Sequence, residues 1–301
     1  MSGQTLGAGL RATIAARIAA FKGSGGGTNG GVASAGHAAA VANHAGNVSR
    51  TMNVRNQSPA TTTIRGGITG LYGKVPSMGD FVSRRLPKPF VEDWDKWLQE
   101  CFLVSRERLG EAWLEHYLSM PMWRFCLAPS VITAQTWVGL VVPSVDRVGR
   151  NFPLTLAVPM EGAYPDLAAT FVAAAPWFSS AEAAALEALR PHAVFDEVDH
   201  ALIAVPAPQG VPQADLSDQT IPLPRTRSAA AMCEVAGAWG DAAFLAQLEA
   251  AGTAVTPPTC IWSAVVEGEP HVVLLTERLP KARHFAAMLD GRWETHGWQV
   301  N

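Results

Sequence analysis

The first 79 residues of this 301-residue chain contain neither aspartate nor glutamate. They hold seven cations: Arg11, Arg17, Lys22, Arg50, Arg55, Arg65 and Lys74. The remainder is left with 16 of the 23 basic residues against all 26 acidic ones, a balance of −10. A body of that sign argues against an extended nucleic-acid surface and suits protein partners. Long apolar runs are also missing. None reaches the roughly eighteen residues that a spanning helix requires, which excludes stable insertion by such a helix. Cysteine is sparse, and Cys101, Cys126, Cys233 and Cys260 are far apart. No CxxC or Cys/His pair has zinc spacing, so structural thiols in a reducing compartment are expected, with no metal and no cofactor.

Familiar catalytic signatures are absent as well. The run Gly67, Gly70, Gly73 and Lys74 invites comparison with a phosphate-binding loop, but position 68 is Ile and Val75 follows the lysine. Gly7, Gly9 and Ala12 match a dinucleotide fingerprint only on paper, because no strand precedes them and no βαβ unit follows. Ser77 lacks the first glycine of a nucleophile elbow, and no HExxH occurs. The histidines are isolated, and His116, His192 and His200 read as ordinary surface or partly buried residues.

Residues 1–66 stand apart from the rest. Leu6, Leu10, Ile14, Ile18 and Phe21 share one face of a short amphipathic helix that contains three cations. Positions 23–63 are then rich in Gly, Ala, Ser, Asn and Thr, too poor in large apolar side chains to fold, so the segment reads as a disordered low-complexity leader. A transit peptide, a membrane-surface helix and an accessory tail are the open readings, the tail being the expected one. Arg11 and Arg17 interrupt the apolar core that a secretory signal needs.

Residues 67–301 read as a single α+β domain, an α/β sandwich. Strand-like runs occur at 68–75, 123–127, 136–142, 154–159, 260–267 and 271–277, bounded by prolines and turns. Short connections predict a mainly antiparallel sheet of five to six strands, covered by helices. Helical periodicity appears at 90–109, where Phe90, Trp94, Trp97, Leu98, Cys101 and Phe102 align, with Pro89 in the first turn. Further helices are expected at 111–118, 165–178, 180–189, 241–251 and 278–290. The prolines between 205 and 225 predict an extended linker. Most of the ten tryptophans should be core, whereas the group from Arg292 to Trp298 offers a hint of contact.

Two polar loops are the most distinctive feature. Gly73-Lys74-Val75-Pro76-Ser77-Met78-Gly79-Asp80-Phe81 and Pro143-Ser144-Val145-Asp146-Arg147-Val148-Gly149-Arg150-Asn151-Phe152-Pro153 are stiffened by glycine and proline. Lys74, Ser77, Asp80, Phe81, Asp146, Arg147 and Arg150 are the candidate partner-binding residues. The alternative function is an anion, phospho-group or nucleotide sensor using Lys74, Arg147 and Arg150. A hydrolase built from Ser77 with Asp80 or Asp146 would need a nearby His or Lys. The structural reading is that Asp80 and Asp146 cap their own loops while Lys74 or Arg150 pairs with one of them. It outweighs catalysis, and no catalytic residue is assigned.

These loops, with Trp94-Asp95-x-Trp97-Leu98 and Trp123-Arg124-Phe125 between them in the same order, resemble the TagF family of type VI secretion accessory proteins. The resemblance covers about 68–180 and continues less distinctly toward Trp262 and Trp293. It implies a non-enzymatic, cytoplasmic protein that represses assembly or activity of the secretion system after translation. The implied partner is a forkhead-associated scaffold protein. Some relatives are fused to a phosphatase domain. This chain has no room for one and is expected to stand alone.

Overall fold

Seven consecutive residues of the run Thr136–Val142 are buried, as expected of a central strand covered on both faces. The computed structural model describes residues 67–160, 166–208, 230–235, 242–252, 258–265 and 271–300. The leader and most of the proline-rich linker lie outside the described residues. The strands are β1 (Gly70–Gly73), β2 (Val82–Arg84), β3 (Trp123–Leu127), β4 (Thr136–Val142), β5 (Leu154–Met160), β6 (Ala231–Val235), β7 (Cys260–Val265), β8 (His271–Thr276) and β9 (Gln299–Val300). They form one sheet in the order β2-β1-β5-β4-β3-β7-β8-β6-β9, antiparallel except where β9 joins β6.

Among the described residues, the expected five to six strands become nine. The additions are β2, β6 and β9. Two of them are very short strands whose side chains are mostly exposed, so they carry no apolar alternation to read. The antiparallel meander of β3, β4 and β5 and the β7–β8 pair were legible and form as expected.

The helices are α1 (Lys88–Leu109), α2 (Trp113–Ser119), α3 (Leu167–Ala173), α4 (Ala175–Ala188), α5 (Phe195–Ile203), α6 (Ala242–Gly252) and α7 (Ala282–Asp290). Pro89 occupies the first turn of α1, where its missing N–H is harmless. A separate helix at 195–203 was not foreseen. Ser179 and Ser180, at the expected break between helices 165–178 and 180–189, lie inside α4 and bond back to the carbonyls of Ala175 and Pro176.

The sheet separates two apolar cores. On one side α1, α2 and α7 meet Trp123, Phe125, Trp137, Val141 and Trp262. On the other, α3 to α6 cover Cys126, Val138, Leu140, Val158 and Ile261. The alternation along β3 and β4 therefore assigns every second side chain to one layer. Aromatic packing dominates the first core. Trp94 lies 4.9 Å from Phe125 and 5.6 Å from Phe90, and its indole donates to Thr155 Oγ1 at 2.8 Å. Phe125 fills the space above Gly139, where an added Cβ would fall 2.2 Å from the ring. Trp298, read as a contact hint, is buried and donates to the carbonyl of His284.

Ion pairs fasten the second layer to the sheet. Arg124 on β3 meets Glu182 on α4. Arg85, with a positive φ of 60°, grips both carboxylate oxygens of Asp199 on α5 and donates to the carbonyl of Thr69.

Candidate recognition site

Sheet register brings the two loops together. β1 and β4 both pair with β5, so the chain leaving β1 and the loop from β4 to β5 emerge at the same end of the sheet. Gly73 closes β1 at φ 138°, where a Cβ would lie 2.1 Å from the carbonyl oxygen of Pro153. Only glycine permits that approach.

Each loop is tied to itself first. In the first, Met78 N donates to Val75 O at 3.1 Å, and Phe81 N donates to Asp80 Oδ1 at 2.8 Å. In the second, Asp146 Oδ1 accepts from the backbone N–H groups of Val148 and Arg150 at 3.0 and 2.9 Å. A bridge between Val145 and Asn151 and the positive φ of Gly149 complete that turn.

The loops are then locked to one another. Lys74 Nζ donates to Asp146 Oδ2 at 2.8 Å, and Arg150 Nε donates to the same oxygen at 2.6 Å. Arg150 also reaches the carbonyl of Gly79, while Arg147 N donates to Met78 O at 2.9 Å. Ser144 Oγ donates to the carbonyl of Lys74 at 2.7 Å. Tyr117 of α2 closes the back of the site, donating its hydroxyl to Ser144 O and accepting from Ser144 N.

The buried acid is held as a carboxylate. Burial alone would raise the Asp146 pKa, but hydrogen bonds from Lys74 and from the Arg150 backbone and side chain outweigh it and bring the value to about 2. Lys74 and Asp146 are both buried, so they hold the site together behind its surface. Asp80 caps its own loop. The structural reading of the acids and cations thus fits, with Lys74 and Arg150 converging on Asp146.

What faces outward is partly apolar. Phe81 is 44% exposed, Met78 38% and Val148 67%. Phe81 is braced from within: it stacks on Tyr72 at 5.7 Å, meets Phe152 edge-on at 4.8 Å, and lies under the Lys74 ammonium at 5.0 Å. Tyr72 in turn donates to Asp95 Oδ1 at 2.7 Å. The Arg147 guanidinium lies against Gly79 and has no acidic partner among the described residues. Ser77 Oγ is buried without a hydrogen-bond partner among the described residues.

Of the sequence candidates, the structure therefore joins Lys74, Asp146 and Arg150 directly, with Lys74 over the Phe81 ring and Arg147 beside Gly79. Among the described residues, Asp80 bonds only within its loop. Sequence reasoning missed Tyr117, Ser144 and Tyr72 as supports, and Met78 and Val148 as exposed apolar groups. The exposed pair had a signal, since apolar residues at the tips of Gly-containing turns have little core to enter.

Elsewhere, no group of three or more His, Cys, Asp or Glu residues among the described residues is placed to hold a metal. No helix among them is long and apolar enough to cross a membrane. The four cysteines are free and buried, and burial raises their thiol pKa values, to about 11 for Cys233 and about 12 for Cys260.

Residues 70–205 match the family described as TagF N-terminal domain, Type VI secretion system-associated. Among solved structures, the crystal structure of PA0076 from Pseudomonas aeruginosa PAO1 is similar. It shares 33% identity over 74% of this chain and 94% of that one, with a TM-score of 0.56. No curated protein matches the sequence.

Proposed function

We propose, from the premise that this chain belongs to the TagF family associated with type VI secretion, that it represses assembly or activity of the secretion system after translation. It does so by binding a protein partner in the cytoplasm, without catalysing a reaction. The partner is the forkhead-associated scaffold of the apparatus, withheld from the secretion machine while bound.

The observation supporting this reading is the locked loop pair. The Lys74–Asp146–Arg150 cluster fixes a surface on which Met78, Phe81 and Val148 remain exposed. A prearranged surface of this kind loses little conformational freedom on association, which favours recognition. The reading as an anion sensor has less support, because two of its three cations, Lys74 and Arg150, already converge on Asp146.

Overproduction in a cell with an active type VI system tests the function. Secretion of the tube protein should fall while its cellular level stays constant. Unchanged secretion at high levels of folded protein would remove the repressor assignment.

A further inference from the structure

We infer that the partner segment received by this surface is acidic and carries an apolar side chain that packs beside Phe81. The inference rests on the proposed recognition role and specifies the chemistry of its partner.

Charge points to the first property. Around the loops, the carboxylates are already engaged by the protein's own donors. Asp146 accepts from Lys74, Arg150 and two backbone amides. Asp80 accepts from Phe81 N, and Asp95 accepts from Tyr72 and Gln99. Arg147 is exposed and lacks an acidic partner among the described residues. Arg150, whose side chain is 56% exposed, satisfies Nε and one terminal nitrogen internally. Its other terminal nitrogen remains available to a partner. The two loops carry three cations, Lys74, Arg147 and Arg150, against two carboxylates, Asp80 and Asp146, in a body whose charge balance is acidic.

The aromatic group supplies the second property. Phe81 is held by Tyr72 stacked on its ring and by Lys74 over it, yet remains 44% exposed, so its ring is available to an apolar side chain. Met78 and Val148, on the same two loops, add exposed apolar surface too limited for a large hydrophobic interface. One apolar anchor surrounded by carboxylates matches that composition. The Lys74–Asp146 lock spares the segment the cost of ordering the receiving surface.

The test is the affinity of the full chain for the purified forkhead-associated scaffold, measured at about 50 and about 300 mM salt, a range over which exposed charges become screened. The wild type should lose roughly tenfold in affinity across that range. At low salt, Arg147→Glu should cost at least about tenfold, and Phe81→Ala a similar factor, whereas Arg190→Glu on the opposite helical layer should leave binding unchanged. Circular dichroism establishes that each variant is folded. If Phe81→Ala weakens binding while salt and Arg147→Glu do not, the acidic-partner inference falls and the recognition role stands. Equal weakening by Arg147→Glu and Arg190→Glu would mean diffuse attraction and also overturn it. A wild type that does not bind the scaffold at either salt overturns the recognition role and this inference together.

Discussion

Lys74 and Asp146, 72 positions apart in sequence, meet at 2.8 Å with both side chains nearly sealed from solvent. Neither residue offers much of itself to a partner. Their contact instead sets the relative position of the loops that do. A buried ion pair is not a reliable net source of stability, but removing one member leaves an uncompensated charge.

Asp146→Asn should therefore destabilise the chain by about 3–5 kcal/mol, within the usual range for breaking a buried pair. Chemical denaturation measures it. Joint replacement of Lys74 and Asp146 by apolar residues of similar size should cost less than Asp146→Asn alone. A loss of under about 0.5 kcal/mol for Asp146→Asn would show that the pair does not hold the loops.

Acid should weaken the fold in two separate windows. His284 is buried, and burial together with nearby Arg283, Lys281 and Arg108 lowers its pKa to about 4 from 6.5. The unfolded chain then binds the proton more readily, so stability falls as pH drops from about 6.5 to about 4. Asp146 has the depressed carboxylate case: its stabilisation is present above about pH 4 and is lost as pH falls toward 2. Stability measured from pH 8 to pH 2 should lose the upper slope in His284→Leu and the lower one in Asp146→Asn.

Gly139→Val should disturb the aromatic core more than its small size change suggests. A Cβ at 139 would meet Phe125, which packs on Trp94 and Trp262. Overpacking of this kind costs about 1–3 kcal/mol and should shift tryptophan emission. An unchanged spectrum and stability would contradict the packing assigned to Phe125.

Much of the fold could be read beforehand because its signals are local. The buried run at β4 and the indoles of α1 at helical spacing placed the sheet and the helices over it. The edge strands escaped notice for a physical reason: Ser83 and Arg84 in β2, and Gln299 and Val300 in β9, are exposed and give no alternating pattern. In α5, Phe195, Val198 and Leu202 are buried at helical spacing but lie among Asp196, Glu197, Asp199 and His200. At the candidate site, glycine and proline marked both loops as ordered. The partner of each charge was not legible, because the pairing of β1 with β5 decides which residues meet across 72 positions.

Val148→Ser should leave stability within about 0.5 kcal/mol of the wild type, since the side chain is 67% exposed. It should nevertheless weaken scaffold binding measurably. Calorimetry of the free variant, compared with its titration against the scaffold, separates the two effects. Equal affinity would remove Val148 from the contact.

Hydrogen exchange with and without the purified scaffold tests the recognition surface most directly. The account predicts slowed exchange on binding at 76–82 and 145–152, with the helices of the opposite layer unchanged. Protection confined to α4 and α5, while both loops exchange as in the free protein, would contradict it.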